Sequence, residues 1–124
     1  MNEKNELNEK AFFGKNNCFK LQYNKTKKEC YFHFGLKNEK ENNWTWNKYK
    51  FSDIELGEII SVLEEKKDST SFYHQWQNEN QQLWVSKRKE GFFLKTNKFT
   101  KSLNDGEQEV LKVLLKEIIK QANF

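Results

Sequence analysis

The run Trp44-Thr45-Trp46-Asn47-Lys48-Tyr49-Lys50-Phe51 holds the residues best suited to chemistry in this chain. A strand sends successive side chains to opposite faces, so Trp44, Trp46, Lys48 and Lys50 share one face and Thr45, Asn47, Tyr49 and Phe51 the other. Indole rings that stack bases, set beside ammonium groups that attract phosphates, are the equipment of a single-stranded nucleic-acid platform. The same alternation elsewhere gives an outward set of Lys20, Tyr31, Trp44, Trp46, Lys48, Trp84, Arg88 and Phe93. The competing explanation is that strands favour aromatics for packing and that lysines decorate any surface.

Other chemistries find less support. Cys30 and His33 are three residues apart, and Cys18 and His74 complete the soft-ligand inventory. A structural zinc site draws on tight ligand pairs, and a regular strand puts Cys30 and His33 on opposite faces; no metal and no cofactor are expected. Asp53, Glu55 and Glu58 cluster at a helix start, where carboxylates suit the helix dipole better than divalent-metal catalysis. With no glycine-rich phosphate loop and no nucleophile–histidine–acid signature, the chain does not read as an enzyme. A protein-interaction domain presenting its tryptophans is a third possibility.

Charge and aromatics segregate together. Residues 11–51 hold nine lysines against Glu29, Glu39 and Glu41, whereas residues 52–69 hold six carboxylates against Lys66 and Lys67. Of the 19 aromatic residues, all but Phe124 lie in the strand-like stretches, where positive charge is also concentrated. The mean hydropathy of −1.04 approaches that of disordered chains, but an aromatic content of 15% argues for a folded core built from large rings. At 124 residues the chain is one domain. Two cysteines without an apolar signal segment fit a reducing compartment; a cytoplasmic location is expected, with nucleoid association open, and no membrane span.

The elements that must position these side chains follow in order. Residues 1–10 read as a disordered arm and 11–124 as the domain. Ala11 to Asn24 reads as a strand pair or one kinked strand, with Gly14 permitting the bend. Phe19, Leu21 and Tyr23 face one way; Cys18, Lys20 and Gln22 the other. Glu29 to Leu36 is a strand with Cys30, Phe32, Phe34 and Leu36 inward and Tyr31 and His33 outward. After the Trp44 strand, Ser52 with Glu55 forms a capping box. It opens a helix whose Leu56, Ile59, Ile60 and Leu63 make one stripe. Ser71 to Trp76 is a strand, Gln77 to Gln81 a polar loop, and Leu83 to Asn97 a hairpin turning at Lys89-Glu90-Gly91. Leu83, Val85, Phe92 and Leu94 belong inward. Asn104 or Asp105 caps a last helix striped by Val110, Leu111, Leu114, Leu115, Ile118 and Ile119. Leu111, Leu115 and Ile118 are expected to be too exposed in a monomer, which calls for a tetramer, or failing that a dimer.

That order, with these segments, resembles the Whirly family of single-stranded DNA-binding proteins from about Phe12 to Ala122. Its members carry Lys-Gly-Lys-Ala-Ala on the first strand, and Gly14-Lys15-Asn16-Asn17 stands in that place, with asparagines for the alanines and Phe13 for the first lysine. Trp44 to Phe51 leads into Ile54-Glu55-Leu56-Gly57 as the family's tryptophan strand leads into its first helix. Phe72-Tyr73-His74 matches a Phe-Phe-His strand, and Lys87-Arg88 with Gly91-Phe92-Phe93-Leu94 matches the basic strand, glycine turn and following strand. The resemblance implies an α+β fold of two crossed antiparallel sheets, strands then helix repeated twice. It also implies homotetramers formed through the helices, and single-stranded DNA along sheet edges between subunits. It adds Lys15, Asn16 and Asn17 to the outward set as binding residues. Glycine allows close approach of a phosphate, Lys15 supplies charge, and the asparagine amides supply donors; the alternative is an ordinary turn. The expectation is binding of single-stranded DNA with little sequence preference. RNA is the alternative, because related folds bind guide RNA and nothing here selects against a 2′-hydroxyl.

Overall fold

The computed structural model describes residues 7–76 and 78–124. Eight strands and two helices follow one another as β1 (Leu7–Phe13), β2 (Asn17–Asn24), β3 (Glu29–Asn38), β4 (Asn43–Phe51), α1 (Asp53–Leu63), β5 (Ser69–Trp76), β6 (Glu79–Arg88), β7 (Gly91–Lys95), β8 (Thr100–Leu103) and α2 (Asp105–Asn123). The strands form two four-stranded meanders, ordered β1-β2-β3-β4 and β5-β6-β7-β8. Every neighbouring pair is antiparallel. Strands-then-helix therefore occurs twice, as the sequence implies.

Both helices begin at complete capping boxes. Ser52 accepts from the Glu55 amide while the Glu55 carboxylate accepts from the Ser52 amide, and Asn104 and Glu107 do the same. Each cap satisfies orphan amides of the first turn and contributes about 1 kcal/mol. Acidic residues follow each cap, in keeping with the dipole. The helices run antiparallel, tied by Lys116 to Glu64 at 2.7 Å and Asn123 to Asp53 at 3.0 Å.

One core joins the two sheets and both helices. Its spine is aromatic: Phe12, Phe19 and Phe34 stack in succession, Phe34 meets Phe99 at 6.1 Å, and Phe51 meets Phe72 at 5.3 Å, the last contact joining the sheets. Leu56, Ile59, Ile60 and Leu63 are buried as their spacing predicts, and Val62 with them. The inward residues of the hairpin, Leu83, Val85, Phe92 and Leu94, are fully enclosed.

The structure corrects four expectations. Residues 7–10, expected in the arm, form the start of β1 and pair with β2 from Leu7 opposite Asn24. Their side chains are exposed, because backbone hydrogen bonds rather than apolar burial hold this edge strand; the rest of the arm, residues 1–6, lies outside the described residues. Glu79, Asn80 and Gln81, expected in a loop, lie in β6, and Gln81 is buried. Leu36, expected inward, is exposed at the end of β3. Finally, Leu111, Leu115 and Ile118 are buried inside the single chain, against the sheets and α1. The reason given for a tetramer therefore falls. The apolar side chains that α2 leaves exposed are Val110 and Val113.

Candidate nucleic-acid interface

The strand register puts the outward residues of the first sheet into rows. Lys20 lies opposite His33, and His33 opposite Lys48. Beside that row, Cys18 pairs with Gly35 and Gly35 with Trp46; on the other side, Gln22 pairs with Tyr31 and Tyr31 with Lys50. The glycine has a clear purpose. A Cβ at Gly35 would lie 2.6 Å from Cζ3 of Trp46, so the indole covers backbone that only glycine leaves open.

Trp44 and Trp46 are neighbours along one face and stack, with ring centroids 5.6 Å apart and planes 22° from parallel. Both are part-exposed, at 37% and 40%. Lys20 Nζ sits 4.5 Å from the Trp46 ring centroid, and Lys48 Nζ 4.1 Å from that of Tyr31. These cation–π contacts hold each ammonium over the face of a ring. Lys20 also meets Glu9 at 3.5 Å. Tyr31 donates to Glu29, which pairs with Lys50 at 3.3 Å. The bond to the Glu29 carboxylate holds the Tyr31 hydroxyl protonated, raising its pKa to about 12. The same bond, with Lys50, lowers that of Glu29. His33 shares a hydrogen bond with Gln22 at 3.2 Å. Burial, then the charge of Lys48, lowers its pKa below 6.5, so the imidazole between two lysines is neutral at pH 7.

The Gly14–Asn17 turn closes β1 onto β2 through the Gly14 amide bonded to the Asn17 carbonyl at 2.8 Å. Lys15 projects into solvent, Asn16 is half-buried, and the Asn16 carbonyl accepts from the Lys37 amide at 2.9 Å. Asn17 turns inward: its Oδ1 is buried and without a hydrogen-bond partner among the described residues. A Cβ at Gly14 would collide with that oxygen and lie 3.0 Å from Lys101 Nζ, so the position needs glycine for close approach. Lys101, on β8, is only 4% exposed.

Trp84, Arg88 and Phe93 belong to the second sheet. They line a concavity of about 580 Å³ bordered by the hydroxyls of Ser69, Ser71, Ser86 and Thr100. Lys95 Nζ stands 5.7 Å from the Trp84 ring centroid. Trp84 is 38% exposed. The eleven sequence-selected residues therefore do not form one patch. Eight lie on the first sheet and its turn and three on the second, and the inward faces of both sheets share one core. The outward faces are therefore separate surfaces. Missed by the sequence reading were Gly35, whose place opposite Trp46 becomes visible only with the register, and Lys95, whose outward position was legible but whose ring partner was not.

Among the described residues no three His, Cys, Asp or Glu side chains gather as a metal site. No helix is long and apolar enough to cross a membrane.

Two antiparallel four-stranded sheets, each followed by a helix, make up the Whirly fold. The comparison with solved structures agrees. WHY3 from Arabidopsis thaliana superposes with a TM-score of 0.73 at 10% identity, over 94% of this chain and 88% of that one. The plant transcriptional regulator PBF-2 superposes with a TM-score of 0.70 at 12% identity, over 94% of this chain and 90% of that one. No family model matches the sequence. No curated protein matches it either.

Proposed function

We propose that this chain binds single-stranded DNA with little sequence preference, as a binding protein rather than an enzyme. The observation that carries the reading is the Lys20–Trp46–Trp44 cluster: two stacked, part-exposed indoles with an ammonium against one of them, on the open face of a sheet. Such a surface stacks bases of any identity and neutralises phosphates without reading base edges. The plant proteins of the same fold, WHY3 and the transcriptional regulator PBF-2, lend support at the level of architecture. Assembly into a homotetramer belongs to the same proposal, with Val110 and Val113 of α2 as the exposed apolar contacts.

The test compares single-stranded DNA, duplex DNA and RNA of one length at two salt concentrations. Tighter binding to single-stranded DNA, weakening steeply with salt, is expected. Equal or tighter binding to RNA would move the substrate class to RNA, and affinity insensitive to salt would replace nucleic acid by an apolar protein partner. Trp46→Ala should cost about 1–3 kcal/mol of binding, as the loss of one stacked base does.

A further inference from the structure

The two aromatic faces meet at a cleft of about 430 Å³ where the β4 edge of the first sheet abuts β5 of the second. Its rim joins the faces: Tyr31, Lys48 and Lys50 come from the outward side of the first sheet, and Tyr73 from that of the second. The junction of the strands beside it is tightly held. Tyr49 donates to the Gln82 carbonyl at 3.3 Å, His74 bonds Glu55 at 2.7 Å, and the Phe51 and His74 rings are 5.1 Å apart.

We propose that this cleft holds one nucleotide of a single strand that crosses from the first sheet to the second. The inference rests on the nucleic-acid reading above and adds where the strand goes. Three properties point to a nucleotide. Volume comes first, because the cleft falls in the range of small-ligand sites. Charge is second: among the described residues Lys48 has no carboxylate partner, and its ammonium stands over Tyr31 at the rim, open to a phosphate. Shape and polarity are third. Tyr73 is 61% exposed, so its ring face is open for a base to stack on. Gln81 also lines the cleft, a side chain that carries both a donor and an acceptor for a base edge.

Continuity strengthens the case. Along β4 the outward side chains Trp44, Trp46, Lys48 and Lys50 follow at roughly 7 Å intervals, two residues apart. The cleft begins at the last two of them and ends at Tyr73, whose strand neighbour Gln82 stands two residues before Trp84. A strand leaving the Trp44–Trp46 platform thus meets a cation, a cleft and a ring before reaching the second sheet. The alternative is two separate faces, each binding its own short strand.

Oligothymidylates of about 6 and about 16 nucleotides distinguish these, a range spanning the site sizes of single-strand binders. With one continuous path, the longer oligomer binds more tightly and one per chain. Tyr73→Ala then weakens it about tenfold, weakens the shorter oligomer less, and leaves the melting temperature unchanged. Trp84→Ala should likewise weaken the longer oligomer more than the shorter one. Two short oligomers bound per chain, with both lengths indifferent to Tyr73→Ala, would overturn the path while leaving single-strand binding intact. Absence of binding at either length would overturn the binding reading itself.

Discussion

The ring of Trp46 covers Gly35 on the neighbouring strand, with three indole carbons between 2.6 and 2.8 Å from where a Cβ would stand. The contact sets the height of the indole above the sheet and leaves it available to Trp44 and Lys20. Gly35→Ala must therefore push the indole off the sheet, since the new methyl has no room beneath it. Affinity for single-stranded DNA should fall by an amount comparable with Trp46→Ala, about 1–3 kcal/mol. Indole emission and DNA titration check this together. Unchanged emission and affinity in the alanine variant would mean that the platform does not depend on this contact.

Lys15 is exposed at the turn and no acidic residue pairs with it among the described residues. Lys15→Gln should leave stability within about 0.5 kcal/mol, as for an ordinary surface substitution. If the turn meets the DNA backbone, affinity falls equally for all sequences and the salt slope becomes shallower by about 0.7, one single-strand phosphate contact. A slope identical to that of the parent chain would take the DNA path away from Gly14–Asn17.

His33 links stability and binding to pH. Its folded pKa lies below the unfolded value of 6.5, chiefly through burial, with Lys48 and Lys20 adding to the shift and Glu9 opposing it. The unfolded chain therefore takes up a proton first, so the contribution is fully present above 6.5 and is lost as pH falls from there through the folded pKa. Melting curves from pH 7.5 to 5 should show this decline, and His33→Gln should flatten it. Bound phosphate would favour the imidazolium, so affinity for DNA should rise over the same interval in the parent chain and not in the variant.

Leu111 and Leu115 are wholly enclosed within the chain. Replacing either by alanine should cost about 2–5 kcal/mol through lost burial and the cavity left behind. Val113, 63% exposed, is the contrasting case. Val113→Asp should leave the melting temperature nearly unchanged but lower the molar mass found by light scattering, if α2 forms the subunit contact. A parent chain that scatters as a folded monomer at micromolar concentration would remove the tetramer.

Local chemistry sufficed for much of this protein. Period-two alternation placed Trp44, Trp46 and Lys48 outward and Phe32, Phe34 and Tyr49 inward, because a pleated strand has only two faces. The capping boxes at Ser52 and Asn104 marked both helix starts, since orphan amides attract acceptors three residues away. Strand β8 escaped because its central residue is a buried lysine: Thr100-Lys101-Ser102-Leu103 has no apolar alternation, and Lys101 is held beside Gly14, far away in sequence. The start of β1 escaped for a related reason, its polar side chains being exposed while backbone pairing alone holds it. Three further facts needed the tertiary structure: Leu111 and Leu115 find their cover inside the chain, Trp84 stands on a different sheet from Trp46, and a cleft joins the two. Each depends on which elements lie against one another. Periodicity along a strand or helix says which side is apolar, and packing alone decides what that side meets.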